Sequence, residues 1–123
     1  MSIILKQLCS DTETKYNLKL IAGKNGMTNT VRWVHMVEDR QVPDFLHGGE
    51  LVFTTGIGHI GKDPLLAFVK RLIEHGASGA VINIGPYLAS VPQEVIDYCN
   101  EENFPLFTLP WSVYIIDITY DFC

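Results

Sequence analysis

Gly48-Gly49-Glu50-Leu51-Val52-Phe53-Thr54-Thr55-Gly56 is the stretch that decides the fold of this 123-residue chain. Leu51 to Thr54 is a nearly continuous apolar run, with no polar residue at alternate positions. Such runs mark strands buried on both faces, as in parallel sheets. Downstream the pattern repeats with helices between. Gly56 to Gly61 reads as a loop, and Asp63 and Pro64 then supply a cap and a first-turn proline. Leu65, Phe68, Val69, Leu72 and Ile73 share one helical face, and Gly76 suits a left-handed stop. Ala80 to Ile84 is a second buried strand. Ser90 and Gln93 have capping-box spacing around Pro92, and Val95, Ile96 and Cys99 face inward on a helix ending near Asn103. Leu106 to Leu109 is the third strand. Right-handed crossovers make these three strands parallel.

Upstream, residues 3 to 9 read as a short helix. Leu18 to Ala22 and Val31 to Val37 read as strands, separated by the turn residues Gly23-Lys24-Asn25-Gly26. The expected class is therefore α/β, a parallel β-α-β-α-β core with an N-terminal β-strand pair and flanking helices.

A chain of this length suits one domain with a core of its own. Its 47% hydrophobic and 19% charged residues are those of a globular protein. The net charge of −5 repels a phosphate backbone, which argues against DNA binding by this piece itself. Cys9, Cys99 and Cys123 form no C-x-x-C pair, so reduced thiols in the cytoplasm are expected. The N-terminus lacks the apolar run of a signal peptide, and no segment approaches the roughly 20 apolar residues of a membrane span.

No motif carries catalysis. Gly56-Ile57-Gly58-His59-Ile60-Gly61 spells G-x-G-x-x-G between a strand and a helix. A dinucleotide site would also need an acid closing the next strand, where this chain has Asn83-Ile84-Gly85. His35, His47, His59 and His75 share no metal-ligand spacing. Gly76-Ala77-Ser78-Gly79 follows a helix and enters a strand, the reverse of a nucleophile elbow. Neither a cofactor nor a metal is expected.

Thr54, Thr55 and Gly56 lie at the carboxyl end of a parallel strand, where open α/β sheets take ligands. Two hydroxyls and the following N–H groups suit a small polar molecule. Gly58 lets a backbone approach closely, and a helix start at Asp63 aims its positive end at the same side. The alternative is that the threonines only close their own turn. Arg32 and Glu50, charges at strand margins, either pair locally or contact the same ligand. These six residues are the candidate ligand-binding set. Trp111 to Cys123 is apolar, with Val113, Ile116 and Tyr120 at helical spacing. It ends without a cap, as if inside an element, and its exposure points to self-association as a homodimer.

Val31-Arg32-Trp33-Val34-His35 together with Gly48 to Gly56 resembles the N-terminal domain of PucR-type purine catabolism regulators, a family of bacterial transcription factors. Gly79-Ala80-Val81, Phe104-Pro105-Leu106, Trp111-Ser112-Val113 and Asp117-Ile118-Thr119 carry the resemblance further along the chain. It implies a single N-terminal regulatory domain over residues 1–123, part of a longer regulator. It also implies a small-molecule effector, and DNA binding by a C-terminal helix-turn-helix outside this chain. The N-terminal domains of Mur ligases and HPr kinase look similarly built, which leaves a substrate-recognition domain of an enzyme as the alternative.

Overall fold

In the computed structural model, residues 3–10, 12–38, 46–58 and 62–122 are described. The strands are β1 (Ile3–Ile4), β2 (Lys19–Ala22), β3 (Thr30–Val31), β4 (Trp33–Met36), β5 (Glu50–Thr54), β6 (Gly79–Ile84) and β7 (Leu106–Pro110). The helices are α1 (Leu5–Cys9), α2 (Thr12–Tyr16), α3 (Lys62–Glu74), α4 (Gln93–Glu101) and α5 (Ile115–Phe122). The main sheet has the order β2-β7-β6-β5-β4. β4, β5, β6 and β7 are parallel, and β2 runs antiparallel to β7. The α/β class and the β5-α3-β6-α4-β7 core are as the sequence implies.

Side chains alternate across a strand, so the buried sheet feeds two cores. Val52, Ala80, Ile82 and Leu106 pack with Phe68, Leu72, Val95 and Cys99 of α3 and α4. Leu51, Phe53, Val81 and Phe107 pack with Leu5 of α1 and Ile118 and Phe122 of α5. The result is three layers, helices on both faces of the sheet. β5 is buried at all five positions; its apolar run anticipates this for Leu51 to Phe53, while Glu50 and Thr54 are buried polar residues.

The N-terminal strands depart from expectation. They do not pair with each other: β2 and β4 sit at opposite edges of the sheet. The predicted Val31–Val37 strand breaks at Arg32. Its first part pairs with β1 in a small antiparallel sheet, and its second joins β5. Residues 3–9 accordingly begin as strand and only then turn helical. A strand is told by its residues but its partner is not, because pairing is decided by long-range burial.

The helix ends follow local chemistry unevenly. Gly76, at φ +79°, closes α3, with Ala77 N–H donating to Leu72 O at 3.0 Å and Gly76 N–H to Ile73 O at 3.1 Å. Asn103, at φ +54°, closes α4 the same way, with Phe104 N–H donating to Cys99 O. The predicted capping box does not form. Pro92 is the cap residue and makes no side-chain cap bond, while Gln93 Nε2 donates to Asp97 Oδ1 at 2.8 Å. α3 begins at Lys62, so Asp63 lies inside its first turn. Gly61, His59, Phe45 and Cys123 lie outside the described residues.

Candidate functional site

At the carboxyl end of the sheet, β4 and β5 lie side by side, with Val37 N–H donating to Phe53 O at 2.9 Å. That register brings Glu38 against Thr54 and Thr55. The Glu38 carboxylate accepts the hydroxyls of both threonines, one at each oxygen. It also accepts the Thr55 N–H, at 3.0 and 3.1 Å. Gly56 N–H then donates to Thr54 Oγ1 at 3.1 Å. Thr54 is fully buried and Glu38 is half-buried.

Both nearby glycines are sterically required. Gly56 has φ +81°, and a Cβ there would meet Leu88 Cβ at 3.0 Å. At Gly58 a Cβ would lie 2.2 Å from the Glu38 carbonyl oxygen. Four of the six candidates, Thr54, Thr55, Gly56 and Gly58, therefore gather around Glu38, a residue that sequence reasoning missed. The signal for it is tertiary: sixteen residues separate Glu38 from Thr54, and only the pairing of β4 with β5 joins them.

Arg32 and Glu50 lie at the other end. The five-residue β5 carries them about 13 Å from Thr54, four strand rises away, so all six do not contact one small molecule. Glu50 is 6% exposed. Its two oxygens accept His47 N–H at 2.8 Å and Gly48 N–H at 2.9 Å. Arg32 N–H donates to Gly49 O at 2.7 Å and Gly49 N–H to Gly76 O at 2.8 Å. The Arg32 stem lies across Gly49, whose added Cβ would meet Arg32 Cγ and Cδ at 3.0 Å.

Two cavities flank Arg32. One, of about 540 Å³, is lined among others by Asn29, Thr30, His47 and Ser78. The other, of about 400 Å³, is lined by Trp33, His35, Leu46, His47, Gly48 and Glu50 as well as Arg32.

Elsewhere the polar groups are structural. Ser78 Oγ donates to Thr30 O. Burial pushes the Cys9 and Cys99 thiols up to about 12, with the Glu13 charge adding at Cys9; both are free and buried. Among the described residues no cluster of His, Cys, Asp or Glu has the makings of a metal site, and no helix is long and apolar enough to cross a membrane. On α5, Ile118 and Phe122 face the core, while Ile116 and Tyr120 are exposed. With Val34 and Met36 of β4 they line an apolar groove of about 530 Å³.

Comparison with known proteins places this geometry in a family context. Residues 7–123 match the purine catabolism regulatory protein-like family, PucR. A curated relative is the purine catabolism regulatory protein of Bacillus subtilis (strain 168), 34% identical over 104 residues. The match takes in 83% of this chain and 19% of that protein, so the chain spans about a fifth of the relative's length. Among solved structures, a similar one is that of the CBS and DRTGG domains of the regulatory region of Clostridium perfringens pyrophosphatase, complexed with its activator diadenosine tetraphosphate. The likeness covers 97% of this chain and 48% of that one, with a TM-score of 0.63 at 11% identity, and speaks to fold alone.

Proposed function

The chain belongs to the purine catabolism regulatory protein-like family, and from that premise we propose that it is the signal-receiving domain of a cytoplasmic transcriptional regulator of purine-type catabolic genes. It has no enzymatic role in this reading. Its net charge of −5 leaves DNA contact to a helix-turn-helix elsewhere in the full regulator. The regulatory region of the clostridial pyrophosphatase, similar in fold, is complexed with a nucleotide activator, which is in keeping with a small-molecule signal.

One observation carries the reading. Glu38 is a carboxylate held by three donors from Thr54 and Thr55, at the end of a parallel sheet where such folds bind ligands. The donors suit an effector carboxylate or ring carbonyl as well as they suit Glu38. In this proposal the effector takes Thr54 and Thr55 in place of Glu38, and Gly56 and Gly58 give it room. Displacing Glu38 then reports binding to the segment that follows. The apolar groove between β4 and α5 is the face on which two copies associate, giving the two-fold symmetry that paired half-sites require.

A thermal-shift screen with oxopurines, ureides and amino acids tests the function. An effector at 100 times its dissociation constant stabilises the domain by about 2.7 kcal/mol. A stabilising compound whose effect is lost in Thr55→Val supports the reading. Silence across all three classes rejects it.

A further inference from the structure

The amino end of the sheet carries a second arrangement that the effector reading does not use. Arg32 is exposed, and its guanidinium has no hydrogen-bond or ion-pair partner among the described residues. An unpaired arginine is ordinary where its side chain waves in solvent. Here the stem is laid over Gly49, and the side chain lines two cavities at once. Gly49 at φ +81° and Gly48 at φ +98° hold a backbone shape that other residues rarely adopt. That shape is locked from below by Glu50, whose oxygens take the His47 and Gly48 N–H groups.

Glu50 itself lines this cleft. Its oxygens are already engaged, and it makes no ion pair with Arg32 among the described residues. The positive charge of Arg32 is therefore left to the cleft. The cleft's other walls are Trp33, which is 59% exposed, and the imidazoles of His35 and His47. Trp33 and His35 are two residues apart on β4 and so share a face of the strand.

We propose that this cleft is a second ligand site, specific for a planar anion: Arg32 pairs with its oxyanion, Trp33 stacks on its ring, and His35 and His47 supply ring N–H donors. A guanidinium fork matches a carboxylate or an enolate-like pair of ring oxygens in two parallel bonds. An indole face favours a flat partner over a tetrahedral one. The site is distinct from the Thr54–Thr55 edge and does not depend on it.

Residue-resolved NMR titration of the 123-residue chain with orotate, a flat carboxylate anion, tests the proposal, with neutral uracil and inorganic phosphate as controls. At about millimolar orotate, the expected result is shifts centred on Arg32, Trp33, His47 and Gly48. Phosphate and uracil should produce much smaller ones. Arg32→Gln should weaken orotate by about tenfold or more, and Trp33→Leu should weaken it while sparing the Arg32-dependent part; both sites are exposed, and unchanged melting checks that the variants fold. Thr55→Val should leave orotate binding alone. Absence of shifts, equal shifts with phosphate, or shifts that survive Arg32→Gln would each overturn it. Shifts centred on Thr54 to Gly58 and lost in Thr55→Val would overturn it too, while supporting the effector reading.

Discussion

The two ends of the parallel sheet each hold a carboxylate, and they hold it differently. Glu50 at the amino end is buried and receives two backbone N–H groups from residues two and three positions before it. Glu38 at the carboxyl end is half-buried and receives two side-chain hydroxyls and one N–H from the neighbouring strand. Backbone donors so close in sequence belong to the loop itself, and losing the acceptor leaves them stranded. Of the hydroxyl donors, Thr54 is buried, but that of half-buried Thr55 can turn to water or to another acceptor. The first arrangement fastens a loop; the second can be exchanged. That contrast separates the structural acid from the one we assign to signalling.

The largest effect should come from Glu50→Ala. Two partly buried N–H groups lose a charged acceptor, each costing about 1–3 kcal/mol, so chemical denaturation should show a loss of about 3 kcal/mol. A loss below 1 kcal/mol would mean the loop does not need its acid. Glu38→Ala should cost less, about 1–2 kcal/mol, because the hydroxyl and N–H of half-buried Thr55 can find water. Equal losses at the two acids would erase the comparison.

Gly58→Val sharpens the same end. The added side chain collides with the Glu38 carbonyl, so a destabilisation of about 1–3 kcal/mol is expected from overpacking. Loss of the Glu38 amide signal from its wild-type position would accompany it. Thr55→Val removes one hydroxyl and keeps the shape. Effector affinity should fall by roughly 0.5–1.5 kcal/mol with little change in melting.

The smallest effect belongs to a group remote from both ends. Asp121 accepts from Lys15 at 2.7 Å and from Tyr16 at 2.5 Å. These hydrogen bonds, Lys15 first, hold its carboxyl below the usual range. Its contribution is present above the ordinary carboxylate pKa and is lost as pH falls through the lowered one. Because the group is exposed, Asp121→Asn should reduce the acid sensitivity of the melting temperature only slightly. A large change would show that the α2–α5 contact matters more than its exposure suggests.

What the sequence disclosed divides along the same line. The β5-α3-β6-α4-β7 core was legible because apolar runs and helical spacing are local signals, and Gly76 stopped its helix as its residue type requires. Thr54, Thr55, Gly56 and Gly58 were legible as a cluster because they fall within five residues at the end of one strand. Glu38 was not, since its partners lie across a strand pairing that no spacing reveals. Arg32 and Glu50 were visible as marginal charges, but nothing local says they stand at the opposite end from the threonines. The capping box at Ser90 failed for a related reason: the spacing was present, but the helix starts after Pro92 and Gln93 turns to Asp97.

Calorimetry on the Glu38→Ala variant tests the central claim most directly, using the compound that stabilises the wild-type chain most in the thermal screen. If Glu38 occupies the effector's donors, removing it should tighten binding by about tenfold, the equivalent of 1.4 kcal/mol, in a protein that still folds. Unchanged or weaker binding by a folded Glu38→Ala chain would contradict the account.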